Sequence, residues 1–107
     1  MTRDQASTVF AALADPTRRA LVETLARDGE ATATRLSAAF PISRQAVTKH
    51  LSALADAGLL DAERVGREQR YALRPAAMDP AAAWMREVGS LWDQRLAALT
   101  AHLADRA

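Results

Sequence analysis

The segment from Ile42 to Leu54 constrains the fold of this chain more than any other stretch. Val47, Leu51 and Leu54 recur at spacings of four and three residues, which places them on one side of a helix. Ser43 precedes this pattern and is a good N-cap, because its hydroxyl can accept a hydrogen bond from a backbone N–H of the first turn. We therefore predict a helix over residues 43–57 that keeps one face in a protein core.

The opposite face of this helix is polar and carries no acidic residue before Asp56. Amide, hydroxyl and ammonium groups on such a face can bond to base edges and phosphates in a DNA groove. An ordinary solvated helix face is the alternative. The residues that we predict to contact DNA are Ser43, Arg44, Gln45, Thr48, Lys49 and Ser52. For Arg44 we expect a phosphate contact rather than a base contact.

Three further helices are predicted before this one. Apolar residues favour a first helix over about residues 3–14, and Asp15-Pro16 is typical of a cap followed by the start of a second helix, to about Arg27. A short third helix spans roughly residues 32–39, because Pro41 holds Phe40 out of helical geometry. Two helices joined by a turn of three or four residues, the second outwardly polar, form a helix-turn-helix.

Residues 60–73 predict a β-hairpin directly after this helix-turn-helix. Leu59-Leu60 begins a strand, residues 65–68 read as a turn, and Tyr71 and Leu73 alternate in the return strand. The hairpin would be a wing with DNA-binding candidates at its tip and flanks, namely Arg64, Arg67 and Arg70, of which Arg67 is the best candidate for a phosphate or minor-groove contact. The alternative is that these arginines only keep the hairpin soluble, with Glu63 and Glu68 as local partners.

The last predicted helix starts at Asp79-Pro80, runs to about Ala104 and carries a long apolar stripe. One helix at the end of a small domain cannot bury that much apolar surface alone, and an exposed stripe of this size usually marks a protein interface. The predicted dimer interface consists of Val9, Phe10, Leu13, Trp84, Val88, Leu91, Trp92, Leu96, Leu99 and Leu103. The alternative is that these side chains are buried inside the domain.

Composition narrows the class of protein. A chain of 107 residues predicts one domain, residues 1–107. It has no cysteine, which excludes disulfides and thiolate chemistry, and it has no long apolar run that could cross a membrane. Since the N-terminus also lacks the apolar core of a signal peptide, we expect a cytoplasmic protein. The preference for arginine over lysine, with many alanines, hints at a GC-rich bacterial genome.

Charge and site chemistry favour binding over catalysis. The net charge of +1 is small for a DNA-binding domain, so affinity would depend on where the charges lie and on two copies of the domain. No nucleophile–base–acid set and no glycine-rich phosphate loop is visible, so we expect neither an enzyme nor a cofactor. We expect Arg18 and Arg19 to form structural ion pairs, with DNA contact as the alternative, and we expect His50 to pack or to touch a phosphate.

The sharpest motifs are Leu13-Ala14-Asp15-Pro16-Thr17-Arg18, residues 43–51, Ala57-Gly58-Leu59-Leu60, and Gly66-Arg67 followed by Tyr71-Ala72-Leu73. On these motifs the whole chain resembles the ArsR family of bacterial repressors. The resemblance implies a mainly α winged helix-turn-helix fold of five helices and a two-stranded wing. It also implies dimers formed through the first and last helices, and repression that is relieved by a signal.

One departure from the family concerns metals. Metal-sensing members carry cysteines just before the leucine that resembles Leu36, whereas this chain has Thr32 and Thr34 there, and hydroxyls are poor ligands for soft metals. The last helix has His102 alone. The chain is therefore similar to a metal-independent branch of the family, and we expect no metal site.

The function expected from these features is a homodimeric transcriptional repressor that binds a palindromic double-stranded DNA operator, with its own operon as the expected target. Two alternatives stay open at this point. One is a metal- or ligand-responsive regulator with an unfamiliar site, and the other is a protein-interaction module that has lost DNA binding.

Overall fold

The computed structural model describes residues 2–106, with side chains from residue 5 onward; Met1 and Ala107, the ends of the predicted domain, lie outside the described residues. The elements follow in the order α1 (Thr2–Ala12), α2 (Pro16–Asp28), β1 (Ala31–Thr32), α3 (Ala33–Ala38), α4 (Arg44–Asp56), β2 (Leu60–Val65), β3 (Glu68–Leu73) and α5 (Asp79–Arg106). The predicted mainly α winged helix-turn-helix, with its five helices and hairpin, is confirmed.

Side-chain caps fix the starts of the two best-predicted helices. Asp15 Oδ2 accepts a hydrogen bond of 3.0 Å from the backbone N–H of Arg18, and Pro16 is the first residue of α2. Ser43 Oγ accepts a hydrogen bond of 3.0 Å from the backbone N–H of Ala46. Each cap satisfies a donor that has no partner inside its helix, so both starts follow from residues that the sequence shows.

The end of α4 sets where the wing begins. Gly58 has a φ of +85°, a left-handed conformation that favours glycine. Its N–H bonds to the carbonyl of Ala55, and the N–H of Leu59 bonds to the carbonyl of Leu54, both over 3.0 Å. These two bonds form a Schellman motif, which terminates the helix and redirects the chain into β2.

Several predicted boundaries need correction. Helix α1 ends at Ala12 rather than Ala14, and α5 begins at Asp79 itself and continues to Arg106. Residues 39–43, rather than three or four, connect α3 and α4, because bonds from the N–H groups of Ala39 and Phe40 back into α3 close its last turn before Pro41.

The sheet has one strand more than predicted. Its order is β1-β3-β2, all antiparallel, and β1 pairs Ala31 with Tyr71 and Thr32 with Arg70. A strand of two residues shows no alternation in a sequence, and Thr32 was instead expected to begin a helix. The extra strand ties the hairpin to the loop before α3, which gives a two-stranded ribbon the support that it needs.

The predicted turn at Val65–Glu68 is present and has two central residues. Gly66 takes a φ of +63°, while Arg67 has no positive φ. A left-handed glycine at the first central position is the pattern of a type II′ turn, whose twist suits a tight hairpin. Arg67 therefore sits at the tip of the wing.

The core lies between α2, α4 and the base of the hairpin, and α5 extends away from it. The side chains that are fully buried are Leu21, Val47, Leu51, Leu54, Leu59 and Leu60. The radius of gyration is 18.8 Å, and the molecule measures 68 × 32 × 20 Å. A compact chain of this length would have a radius of gyration of about 13 Å. The excess comes from α5, about 42 Å long at about 1.5 Å per residue, in which Ala81 alone counts as buried among the described residues.

None of the helices in the described part of the chain, α5 included, combines the length and the apolar character that crossing a membrane requires.

Candidate nucleic-acid interface

The polar face of α4 lies on the surface in the orientation that the sequence predicts. Burial of Val47, Leu51 and Leu54 on one side of α4 leaves the helix no freedom to rotate about its axis. Of the predicted DNA-binding residues on this helix, Thr48 is half-buried and the others are exposed, namely Ser43, Arg44, Gln45, Lys49 and Ser52. The structure thus brings these predicted side chains onto one surface, which we call the reading face.

The reading face is cationic, and its charges have no ion-pair partner among the described side chains. Arg44, Gln45, Thr48 and Lys49 together line a shallow depression at the surface. Within the side chains described, from residue 5 to 106, neither Arg44 nor Lys49 forms a salt bridge. Both charges are therefore available to an anion such as a backbone phosphate.

The three wing arginines are exposed but do not share one environment. In the hairpin register Arg64 lies opposite Gln69, and Arg70 lies opposite Glu63. Since directly opposed residues share a face and successive residues alternate, Arg64 and Arg70 project from opposite faces of the wing. Nη1 of Arg70 also lies 3.6 Å from Oε1 of Glu30. A DNA strand along one face of the wing would meet only one of these two arginines, whereas Arg67 lies at the tip, within reach from either side.

An ion pair that sequence reasoning missed closes the base of the wing. Arg74 binds Oδ1 of Asp61 through Nε at 2.9 Å and through Nη2 at 2.8 Å, and its N–H donates to the carbonyl of Leu59 at 2.9 Å. Asp61 is the second residue of β2 and Arg74 directly follows β3, so the predicted hairpin could have suggested the contact. The pair anchors the ends of the hairpin next to the end of α4.

His50 joins the reading helix to the start of α2. Its Nδ1 lies 3.9 Å from Oδ2 of Asp15, and both side chains are partly buried. This contact agrees with the packed alternative predicted for His50, while the phosphate alternative stays a prediction. The hydrogen bond from the Arg18 N–H lowers the pKa of Asp15 below its ordinary value of 3.8; nearby positive charge on His50 lowers it further, while partial desolvation opposes both.

Arg18 and Arg19 have structural roles, as predicted, but their partners are backbone carbonyls rather than carboxylates. Arg18 Nε donates to the carbonyl of Ala12 at 2.6 Å, and Arg19 Nη1 donates to the carbonyl of Leu13 at 2.7 Å. The last carbonyls of a helix lack partners within it, so the end of α1 provides acceptors that no sequence pattern displays.

Most of the predicted interface residues form one exposed apolar face along α1 and α5. Two residues, Leu13 and Val88, are half-buried, and the exposed members are Phe10, Trp84, Leu91, Trp92, Leu96, Leu99 and Leu103. The prediction that Val9 belongs to the dimer interface needs correction, because Val9 is only 4% exposed and packs in the core of its own protomer. Its neighbour on the helix, Phe10, faces outward instead.

The residues at the positions that bind metal in metal-sensing members either cap a helix or lie exposed at the surface. Thr32 Oγ1 accepts a hydrogen bond of 3.1 Å from the N–H of Arg35 and so caps α3, while Thr34 and His102 are exposed. Among the residues that the structure describes, no three His, Cys, Asp or Glu side chains form a group that could hold a metal ion.

Comparison with known proteins agrees with this arrangement. A family model described as a helix-turn-helix domain matches residues 13–63. The transcriptional repressor SdpR of Bacillus subtilis is 32% identical over 77 residues, which are 72% of this chain and 84% of that repressor. An arsenic resistance transcriptional regulator of Pseudomonas putida is 37% identical over 67 residues, which are 63% of this chain and 52% of that regulator, so the match spans about half of its length.

Solved structures give the same result. An ArsR-like transcriptional regulator from a Rhodococcus species superimposes with a TM-score of 0.75 at 41% identity, over 92% of each chain. A homodimeric winged helix-turn-helix DNA-binding domain from Mycobacterium bovis, a possible ArsR-family regulator, gives a TM-score of 0.62 at 29% identity, over 87% of this chain and 82% of that one. Regulators of this kind bind DNA and are not enzymes. The chain therefore belongs to the ArsR family of winged helix-turn-helix transcriptional regulators.

Proposed function

We propose that this protein is a homodimeric, sequence-specific repressor, in which α4 of each subunit enters the major groove of a palindromic operator and the wing holds the flanking phosphates. The observation that carries the proposal is the reading face itself. Among the described side chains, its two cations and its amide and hydroxyl groups have no acidic partner, and a buried apolar side holds them outward.

The roles within the interface follow from exposure and chemistry. Gln45 and Thr48 offer hydrogen-bonding groups that can distinguish base edges, and the cations Arg44 and Lys49 suit phosphates or guanine. Ser43 and Ser52 lie at the margins of this set. Of the wing residues, Arg67 is the primary phosphate contact, and Arg64 and Arg70 are secondary because they lie on opposite faces of the hairpin.

Dimerisation is supported by the apolar face of α1 and α5. Trp92 is 67% exposed and Leu91 is 56% exposed in the single protomer, and both lie on the part of α5 that extends beyond the core. Exposed apolar surface of this extent would be costly in water, and a second copy with the same face can cover it symmetrically. Two reading helices would then stand about 34 Å apart, one turn of DNA.

The proposal places the protein in the cytoplasm with the DNA. It also includes a signal that releases the operator, although the described residues show no metal-binding group through which such a signal could act.

The test begins with selection of binding sites for the wild-type protein from a pool of random duplexes. On the recovered site, Gln45→Ala should lose about 1–3 kcal/mol of binding free energy and accept more bases at one position of each half-site. Gln94→Ala is a matched control, since it makes the same change at an exposed position on α5. Equal affinity of Gln45→Ala and the wild type would show that the reading face is wrongly assigned.

A different outcome would favour the protein-interaction alternative. If the wild-type protein enriches no sequence and shifts no duplex at physiological salt, the reading face does not bind DNA, and the apolar face of α1 and α5 becomes the functional surface.

A further inference from the structure

The motif Asp15-Pro16-Thr17-Arg18-Arg19 does not belong to the reading face, yet its side chains contact two other helices. Arg18 donates from Nε to the carbonyl of Ala12 at 2.6 Å and from Nη2 to the carbonyl of Ala11 at 3.3 Å. Arg19 donates from Nη1 to the carbonyls of Leu13 and Ala14 at 2.7 and 3.1 Å. Four consecutive carbonyls, the last two of α1 and the two that follow it, are thus held by two consecutive arginines of α2.

The same motif contacts the reading helix. Asp15 Oδ2, which caps α2 through the Arg18 N–H, also lies 3.9 Å from Nδ1 of His50. His50 is the residue after Lys49, one of the two cations of the reading face. Three helices therefore meet at one turn: α1 through the arginines, α2 through its cap, and α4 through the carboxylate.

We propose that Asp15, Arg18 and Arg19 form a latch that fixes the angle between α1, which belongs to the dimer face, and α4, which carries the reading face. The latch would set the separation of the two reading helices in the dimer. This inference rests on the proposed function, because separation has meaning only when two copies bind one operator. The three residues are positioning residues and touch no DNA in this scheme.

The layout of the fold explains why an angle here matters. Helix α1 packs mainly on α5 and reaches the core through Val9 and Ala12, whereas α4 packs mainly on α2, α3 and the hairpin. The chain connects these two groups of helices at residues 13–15 and again at residues 74–78, so the latch spans one of the two connections. The reading helices would stand about 34 Å apart, each about 17 Å from the two-fold axis. With α1 held at the dimer face near that axis, tilting α4 by about 10° relative to α1 would move a reading helix by at most about 3 Å. That displacement is close to the rise of one base pair, about 3.4 Å.

The prediction concerns spacing rather than base preference. The probes are the palindrome that the wild-type protein selects, the same palindrome with its centre lengthened or shortened by one and two base pairs, and a duplex with a single half-site. The wild-type protein should lose about tenfold or more in affinity when the spacing changes, the range of a mismatched base pair. Variants without the latch should lose most of this preference while keeping the wild-type affinity for the single half-site.

Two variants remove the latch without removing the elements it joins. Arg18→Lys keeps the charge but loses the fork that spans two carbonyls. Asp15→Ser keeps a hydroxyl that caps α2, yet is too short to reach His50. Arg27→Lys is the matched control, because Arg27 is an exposed arginine at the far end of α2. Circular dichroism and thermal melting identify the temperature at which each variant is fully folded, and binding is measured there.

The outcomes separate the latch from the wider proposal. Flattened spacing preference in both variants, with intact half-site affinity and an unchanged control, supports the latch. A variant with a lower melting temperature but the wild-type spacing preference would show that the motif only stabilises the fold. That result would overturn the latch. A wild-type protein that selects single half-sites without a fixed spacing refutes the homodimeric operator complex, and the latch with it.

Discussion

The ring of Phe10 meets the ring of Trp84 edge-on, with centroids 5.5 Å apart and planes inclined by 72°. This contact joins α1 to α5 within one protomer, although Trp84 is still 43% exposed and Phe10 is 38% exposed. The pair therefore serves two surfaces: one side of each ring packs inside the protomer, and the other belongs to the apolar face that a second copy would cover. Phe10 and Trp84 are therefore neither fully buried core residues nor residues that belong to the exposed face alone.

A double-mutant cycle should measure this contact. Phe10→Ala and Trp84→Ala should each destabilise the protein, and their effects should be coupled by about 0.5–1.5 kcal/mol, the range for edge-to-face aromatic pairs. Urea unfolding at one fixed protein concentration gives the four free energies of unfolding. Phe10→Ala with Met85→Ala is the control cycle, because Met85 is the exposed neighbour of Trp84. Additive effects in the Phe10–Trp84 cycle would mean that the rings contribute nothing to each other.

Trp92 should act mainly between subunits. It is 67% exposed, so Trp92→Ala removes little packing inside the protomer. If a partner covers it, the substitution should weaken the dimer by about 2 kcal/mol or more, which raises the dimer dissociation constant about 30-fold. Sedimentation equilibrium measures this constant, with Asp93→Ala, a change at the next exposed residue of α5, about 100° around the helix, as a control. A Trp92→Ala dimer as tight as the wild type would place the interface elsewhere.

The sequence predicted α4 and the wing well because local signals there agree with tertiary packing. The cap at Ser43, the buried spacing of Val47, Leu51 and Leu54, and the left-handed glycine after the helix all indicate the same element. Each of these signals is a residue type at a fixed position, so a reader of the sequence can see it. The reading face could be predicted for the same reason: it is the complement of a strong apolar pattern.

The elements that the sequence missed depend on partners distant along the chain. The strand Ala31–Thr32 exists because β3 offers it a free edge, and two residues carry no period of their own. The carbonyls that bind Arg18 and Arg19 are backbone groups, present in every sequence and exposed only where α1 happens to end. Val9 was assigned to an interface because a helical stripe does not show which of its residues meets the core first.

The wing tip should bind DNA without regard to sequence. Arg67 is exposed at the second central position of the turn, so Arg67→Ala should weaken binding to all duplexes similarly. The slope of log affinity against log salt should become shallower by about one unit for each wing that touches a phosphate. Titrations of cognate and random duplexes over a range of salt concentrations measure both effects. Arg27→Ala, an equal loss of charge on α2, should leave the slope unchanged; an unchanged slope for Arg67→Ala as well would remove the wing tip from the interface.

Stability should fall in acid through Asp15. Its folded-state pKa lies below the ordinary value of 3.8, chiefly because the carboxylate accepts the hydrogen bond from the Arg18 N–H. A carboxyl group that is more acidic in the folded state binds fewer protons there than when unfolded. Its contribution to stability is therefore fully present above pH 3.8 and is lost as the pH falls through the lowered pKa.

Asp15→Asn should isolate this effect, because asparagine still caps a helix but does not titrate. Between about pH 5 and about pH 2, the free energy of unfolding of the wild type should fall more steeply than that of Asp15→Asn. At neutral pH the variant should be the less stable of the two, because it lacks the negative charge that interacts with the helix N-terminus. Urea unfolding at each pH measures both curves, and Asp93→Asn, a change at an exposed residue of α5, should run parallel to the wild type. Parallel curves for Asp15→Asn and the wild type below pH 3.8 would show that folding does not lower the pKa of Asp15.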